Sequence, residues 1–187
     1  MQEPTARRAN YDDVLQAPPH SIAQVLFGVL HTHKRSIMHA ATCSAVNALV
    51  GRTLTLGIDG PGGWLILKAP ELHLGHEPDI VVPDIVGWRR DRPVLPGNDD
   101  EWTSVAPDWA CEVLSPETQR IDRTDKLEIY LREQVRHVWL LDPMSEVLEV
   151  LRHNGEAWTR VAAHSRRRAH IEPFDAIELD VGLFWRF

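Results

Sequence analysis

Two acidic residues stand inside short apolar stretches of the chain. Asp84 lies in VVPDIVGW, and Glu112 lies 28 positions later in WACEVLS. Burying a lone carboxylate costs on the order of several kcal/mol unless a partner compensates it. Two carboxylates at the ends of adjacent strands can converge on one hard cation such as Mg²⁺, which prefers oxygen ligands. The alternative for either residue alone is a strand-end side chain that faces solvent.

A lysine follows on the next predicted helix. Asp122, Lys126 and Tyr130 are spaced i, i+4 and i+8, so they share one helical face. An ammonium there could orient or deprotonate a water, or neutralise charge that develops on a phosphate. The alternative is a solvated Asp122–Lys126 pair that contributes only about a few tenths of a kcal/mol. Leu127 and Leu131, on the neighbouring face, are predicted to anchor the helix to the sheet.

The elements that must position these residues follow from the apolar pattern. Helices are predicted at 36–50 and from Thr118 or Asp122 to about Gln134. Strands are predicted at 52–58, 64–74, 79–88, 109–114 and 137–141, with a hairpin of 146–152 and 158–163. This order predicts a mixed α/β protein with a curved central sheet.

The first predicted helix has a face of small residues that would let it pack closely on the sheet. That face comprises Ile37, Ala41, Ser44, Ala45 and Ala48. Residues 1–18 are polar and end in Ala-Pro-Pro, which predicts a flexible N-terminal arm before a single domain spanning 19–187.

The composition is that of an ordinary globular protein. No apolar run approaches the roughly 20 residues of a membrane span, and the N-terminus has no signal-peptide core. Cys43 and Cys111 are far apart in apolar settings, which favours two free thiols and a cytoplasmic location. The net charge of -7 argues mildly against non-specific nucleic-acid binding.

Other polar residues compete for a role in a site. Asp108 shares a strand face with Glu112 but lies about 13 Å away along the rise, too far to share a metal without a bend. Glu71 could be a third acidic neighbour or could face solvent. The His31-x-His33 pair has no Cys or Asp at recognised zinc spacing, so magnesium is the stronger hypothesis.

Four motifs resemble the Uma-type restriction endonucleases of the PD-(D/E)XK nuclease superfamily. They are PDIVGWRR, PDWACEVLSPET, DRTDKLEIY and VWLLDP, and the resemblance covers about residues 35 to 185. It implies an αβββαβ restriction-endonuclease-like core, to which the predicted C-terminal hairpin is added. It also implies a DNA substrate and Mg²⁺ as cofactor, with Mn²⁺ possible.

The resemblance assigns roles to individual residues. Asp84 matches the aspartate of the PD motif, and Glu112 matches the acidic residue of the (D/E)XK strand. Leu114 stands where the superfamily has its lysine, and Lys126 on the following helix takes that role. The backbone carbonyl of Val113 would complete the metal ligands.

The remaining candidates support these residues. Asp122 and Tyr130 would hold Lys126 or a second water. The helix at 36–50 has no Asp or Glu, and His39 is its substitute for the superfamily's acidic residue, although a lone histidine there is often structural.

Three functions therefore stay open. The first is a Mg²⁺-dependent endonuclease, for which a homodimer would suit duplex cleavage. The second is an inactive nuclease-fold domain that binds nucleic acid or a protein partner, which the acidic net charge and displaced lysine favour. The third is a metal hydrolase that acts on small substrates.

Overall fold

The computed structural model describes residues 7–93, 95, 97 and 99–186. Its helices are α1 (Tyr11–Leu15), α2 (Ile37–Val50), α3 (Gln119–Arg123) and α4 (Asp125–Arg132), with a π-helix at Gly51–Thr55 and a 3₁₀ helix at Val181–Trp185. The first seven strands are β1 (Ile22–Leu26), β2 (Val29–His33), β3 (Trp64–Lys68), β4 (Glu71–Leu74), β5 (Asp79–Val81), β6 (Ile85–Arg89) and β7 (Trp102–Thr103). The others are β8 (Trp109–Val113), β9 (His137–Asp142), β10 (Val147–His153), β11 (Trp158–His164), β12 (Arg168–His170) and β13 (Glu178–Asp180).

The strands form two main sheets and one small sheet. The larger sheet has the order β11-β10-β9-β8-β6-β3, the second has the order β2-β1-β5-β4-β7, and β12 pairs with β13. The larger sheet is mixed, because β8 and β9 run parallel while its other neighbours run antiparallel. The order α2, β3, β6, β8, α3–α4, β9 is the predicted αβββαβ core, and β10–β11 is the predicted added hairpin. The predicted mixed α/β class is confirmed.

Two predicted strands are each divided between the sheets. The segment 64–74 breaks at Ala69 (φ 52°) and Pro70, and the segment 79–88 breaks around Pro83. Proline cannot donate a ladder hydrogen bond, so each segment ends its pairing there. β3 and β6 belong to the larger sheet, while β4 and β5 belong to the second. Asp84 therefore lies at a crossing between sheets, immediately before β6.

Helix α2 begins after Ser36, whose hydroxyl accepts a hydrogen bond from the His39 amide at 3.2 Å. The predicted small-residue face is wrong, because Ile37, Ser44 and Ala48 are exposed. The buried face instead carries His39, Thr42, Cys43, Val46 and Val50. Burying the larger side chains removes more apolar area from water than burying alanines would.

Several further elements differ from the sequence prediction. The strand predicted at 52–58 is wrong, because the chain continues from α2 into the π-helix and buries Leu54. The single helix predicted up to Gln134 is interrupted at Thr124 (φ -120°, ψ -83°). The hairpin β1–β2 and strand β7 were not predicted.

The N-terminal arm includes a short helix. Asn10 and Asp13 form a capping box at the start of α1, so the described part of the arm has local order. The arm's flexibility and the single-domain division stay predictions. Within the described ranges, no helix combines the length and apolar character that crossing a bilayer requires.

Alternation along β8 decides which way Glu112 points. Trp109, Cys111 and Val113 join the apolar cluster that includes α2, whereas Ala110 and Leu114 join the cluster that includes α4. Because successive strand residues face opposite sides of a sheet, Glu112 faces the side covered by α4.

Candidate metal and phosphate site

Glu112 is fully buried at the centre of the candidate site. Its Oε2 accepts a hydrogen bond from Lys126 Nζ at 2.9 Å, and its Oε1 accepts one from the Tyr130 hydroxyl at 2.5 Å. The lysine on the helix after the strand therefore reaches the carboxylate that the (D/E)XK resemblance identified. Both oxygens of Glu112 are engaged by the same helix.

Helix α4 buries its polar stripe more deeply than its leucines. Lys126 and Tyr130 are buried together with Ile129, whereas Leu127 and Leu131 are only half-buried. The predicted leucine anchor is met in part, because Leu127 packs against the apolar cluster on this side of the sheet. The solvated-pair alternative is wrong, because Lys126 Nζ lies 3.0 Å from Asp122 Oδ1 with both side chains only 3% exposed.

Asp84 lies in a different set of contacts. Its Oδ1 accepts a hydrogen bond from Arg35 Nη2 at 3.1 Å. Its Oδ2 accepts one from the Val113 amide at 2.8 Å and lies 3.0 Å from His39 Nε2. The contact with Val113 uses the backbone N–H, whereas the predicted metal ligand is the Val113 carbonyl.

The pKa values of the two carboxyls shift in opposite directions. Burial raises the pKa of the Glu112 carboxyl to about 8, with Lys126 opposing the rise and Asp122 and Asp84 adding to it. Burial also acts to raise the pKa of Asp84. There the hydrogen bond from His39, the charge of Lys126 and the Val113 amide outweigh burial and lower that pKa. The pKa of Asp84 thus lies below its ordinary value, while the pKa of Glu112 lies well above its ordinary value.

Lys126 keeps its charge. Burial acts to lower the pKa of its ammonium, but Asp122 and Glu112 outweigh burial and raise that pKa. The site therefore contains three buried carboxyls, those of Asp84, Glu112 and Asp122. The cations beside them are the fully buried Lys126 and the half-buried Arg35. Carboxylate oxygens are the donors that Mg²⁺ prefers in proteins.

Two other acidic candidates lie elsewhere. Glu71 lies in the second sheet, where its Oε1 is 2.7 Å from His73 Nε2. The His73 ring stacks on the Trp102 ring with their centroids 4.2 Å apart. Asp108 precedes β8, where it accepts from the Arg89 amide at 2.9 Å and pairs with Arg92 at 3.4 Å. The structure thus does not bring Glu71 to Asp84, and it keeps Asp108 at the other end of the strand from Glu112.

Sequence reasoning missed two neighbours of Asp84. Arg35 precedes α2 in the run HTHKRS, where its charge gave no sign of an inward direction. Cys43 Sγ lies 3.6 Å from His39 Nδ1. His39, Cys43 and Asp84 thereby form a buried group whose ligand atoms all lie within 4.8 Å of one another. The i, i+4 spacing of His39 and Cys43 was the available signal. Both cysteines are free and buried, as predicted.

Comparisons with known proteins agree with this architecture. Residues 32–182 match the model of the Uma2 family, described as "Putative restriction endonuclease". A solved structure described as a "putative nuclease belonging to DUF820" from Anabaena variabilis is 20% identical, with a TM-score of 0.70. The match covers 95% of this chain and 97% of that chain, and at this identity it shows the fold alone. None of the curated proteins matches the chain. Since the family model spans most of its length, the chain belongs to the Uma2 family.

Proposed function

We propose that the protein is a metal-dependent endonuclease that hydrolyses DNA phosphodiester bonds, with Mg²⁺ as its ion and Mn²⁺ as a substitute. The observation that carries the proposal is the direct contact of Lys126 with Glu112 inside a buried cluster of carboxyls. A cluster with more carboxyls than fully buried cations is costly unless it binds a proton or a metal ion. The family match supports the reaction class.

Asp84 and Glu112 would hold the ion, with the Val113 carbonyl as the expected backbone ligand. When bound, the ion would lower the pKa of a water molecule and stabilise negative charge on the scissile phosphate. The residues must first release their present partners. Glu112 would lose its proton, and Asp84 would give up part of its contact with Arg35 or His39.

Lys126 would orient the attacking water or neutralise charge on the phosphate. A lysine whose pKa is raised stays protonated and cannot act as a general base at neutral pH. Asp122 holds Lys126 in place, Tyr130 holds Glu112, and His39 orients Asp84. These three positioning side chains would fix the geometry before substrate arrives.

Nicking of supercoiled plasmid in the presence of Mg²⁺ or Mn²⁺ tests the proposal. Glu112→Gln and Lys126→Ala are each expected to lower the nicking rate by about 10²-fold or more, the scale of losing one preorganised electrostatic group. Asp108→Asn serves as the matched control, because Asp108 is the other acidic residue of the same strand segment. Nicking that persists unchanged in both cluster variants would sink the assignment.

A second candidate function is a nuclease-fold domain that binds nucleic acid or a protein without cleavage. It is favoured by the fact that all four oxygens of Asp84 and Glu112 already have protein partners. Titration calorimetry separates the two functions. Mg²⁺ or Mn²⁺ binding that disappears in Asp84→Asn supports the endonuclease, whereas no measurable binding in the wild type supports the binding domain.

Duplex cleavage by a domain with one site suits a two-fold dimer. A homodimer is therefore part of the proposal, and the two free cysteines add a cytoplasmic location to it. Light scattering coupled to size-exclusion chromatography, with and without duplex DNA, measures the oligomeric state. A monomer under both conditions would remove the dimer from the proposal and leave single-strand nicking.

A further inference from the structure

One cavity is lined by residues that adjoin the buried cluster along the chain. This cavity has a volume of about 570 Å³ and is lined by Pro18, Ser21, residues 31–34, Glu117, Thr118, Arg120 and Ile121. Residues 31–34 are followed by Arg35, which contacts Asp84. Ile121 is followed by Asp122, which contacts Lys126. Since the cluster itself is almost closed to solvent, we refer to this space as the vestibule.

The vestibule offers cations that are not yet paired. The ion pairs of the described residues include neither Lys34 nor Arg120, whereas the neighbouring Arg35 pairs with Asp84 and Arg123 pairs with Glu149. Both Lys34 and Arg120 are exposed. Glu117 is the one acidic residue of the lining, so the side chains of the vestibule carry a net positive charge.

The vestibule also offers hydrogen-bond donors. His31 and His33 lie two positions apart on β2 and so face the same side of that strand. Within the described residues, His33 Nδ1 is buried without a hydrogen-bond partner. Burial lowers the pKa of His33, with the charge of Lys126 adding to the effect, and burial lowers the pKa of His31. At neutral pH both rings are neutral and can donate hydrogen bonds without carrying charge.

We infer that the vestibule binds a backbone phosphate of the nucleic acid, adjacent to the phosphate that is cleaved. Lys34 and Arg120 supply the charge, and His33 supplies a hydrogen bond from the wall nearest the cluster. The inference rests on the proposed function for DNA as the ligand and for the position of the bound phosphate next to the cleaved one, whereas the binding of a phosphate in the vestibule is tested independently of cleavage. It adds a positioning site that holds the strand in register over Glu112 and Lys126, since phosphate contacts fix the register of a nucleic acid without reading its sequence.

A second cavity provides the contrast. It is lined by Arg92, Asp108, Arg136 and Arg152 among others, around the starts of β8 and β9. Arg92 is paired with Asp108 at 3.4 Å and Arg152 with Glu172 at 3.0 Å. Arg136 is exposed and lies outside those pairs, so it is a matched control for Arg120 that differs mainly in its distance from the cluster.

Fluorescence anisotropy with a labelled DNA duplex tests the inference. The full-length protein is titrated at several NaCl concentrations, with Ca²⁺ replacing Mg²⁺ to prevent cleavage. Lys34→Ala and Arg120→Ala are each expected to weaken binding several-fold and to reduce the slope of log affinity against log salt by about one. His33→Ala is expected to weaken binding without changing that slope, and Glu117→Gln to tighten binding. Arg136→Ala is expected to match the wild type.

The outcomes separate this inference from the proposed function. Duplex binding that is lost in the vestibule variants, with plasmid left intact by the wild type, supports the phosphate site and contradicts the endonuclease. Plasmid nicking by the wild type, with vestibule variants that bind like the wild type, overturns the phosphate site alone. The phosphate site is also overturned if only Arg136→Ala reduces the slope of log affinity against log salt, or if the wild type does not bind the duplex. Thermal melting of each variant establishes that a loss of binding is not a loss of fold.

Discussion

The surroundings of Asp84 and Glu112 differ in what they supply to a buried carboxylate. Asp84 lies at the crossing between two sheets, where a backbone amide, a guanidinium and an imidazole converge on it. Glu112 is the penultimate residue of β8 and receives one hydroxyl and one ammonium, and it shares that ammonium with Asp122. The pKa of Asp84 is lowered, whereas that of Glu112 is raised to about 8.

The difference teaches that the two carboxylates are prepared for different tasks. Asp84 is a permanent anion that can hold a cation at any physiological pH. Because the pKa of Glu112 is raised to about 8, we expect cation binding by Glu112 to be coupled to proton release. The position of a carboxylate in the backbone, rather than its residue type, decides which task it takes.

Removing the shared ammonium is expected to have the largest effect. Lys126→Met leaves Glu112 and Asp122 buried without their cation, which costs ~3–5 kcal/mol of unfolding free energy. The loss should be greater at pH 8 than at pH 6, because the lysine matters most when Glu112 is ionised. Urea denaturation at both pH values measures it. A loss below about 1 kcal/mol, the range of exposed ion pairs, would mean that the cluster is solvated.

Proton release should appear in the pH dependence of metal binding. Because the folded-state pKa of Glu112 is raised from 4.5 to about 8, its protonated form stabilises the fold at low pH. That stabilisation is lost as pH rises from 4.5 through 8. Below pH 8, the affinity of a cation that displaces this proton rises about tenfold for each unit by which the pH increases. Mg²⁺ calorimetry at pH 6, 7 and 8 measures the slope, and Glu112→Gln is expected to abolish it. A pH-independent affinity in the wild type would contradict the coupling.

Removing the Tyr130 hydroxyl is expected to have a smaller effect on Glu112 than removing the Lys126 ammonium. Burial raises the pKa of Tyr130, and Glu112 adds to the rise, so its proton stays in place as a donor. Tyr130→Phe removes that donor and is expected to cost ~1–3 kcal/mol at pH 8, when it would serve a charged acceptor. The cost at pH 6 should be smaller. Tyr11→Phe is the control, since Tyr11 contacts His73 in the second sheet. Equal losses at the two pH values would show that Glu112 does not titrate between them.

The carboxylates and the lysine could be found from sequence because each breaks a local pattern. Asp84 and Glu112 interrupt apolar runs of the sequence, and Lys126 lies at i+4 from Asp122. The strands β8 and β9 and the hairpin β10–β11 followed directly from apolar runs and turn residues and are confirmed.

The orientation of the helices could not be found in the same way. A helix prediction from the polar and apolar pattern places the polar residues towards solvent. Helix α4 instead buries Lys126 and Tyr130, because the charge of Lys126 is compensated by carboxylates on other elements. Similarly, Pro70 and Pro83 indicated interrupted strands, but only long-range pairing decides that the two halves join different sheets. Arg35 was missed for the same reason, since its partner lies 49 residues away.

The smallest predicted effect lies on the Asp84 side and sharpens the comparison most. Arg35→Met removes one of three partners from a carboxylate that stays ionised, and the Arg35 side chain is 21% exposed, so solvent screens part of the loss. We expect a cost of only ~1 kcal/mol. The pKa of Asp84 is lowered, so the stability that its ionised form contributes is lost only when the pH falls below the ordinary carboxyl pKa of 3.8. The cost of Arg35→Met should therefore be equal at pH 6 and pH 8. Urea denaturation at those two pH values measures it beside Lys126→Met. If the Arg35→Met cost changed with pH as the Lys126→Met cost does, Asp84 would also titrate in this range, and the division between a permanent anion and a proton-coupled ligand would fail.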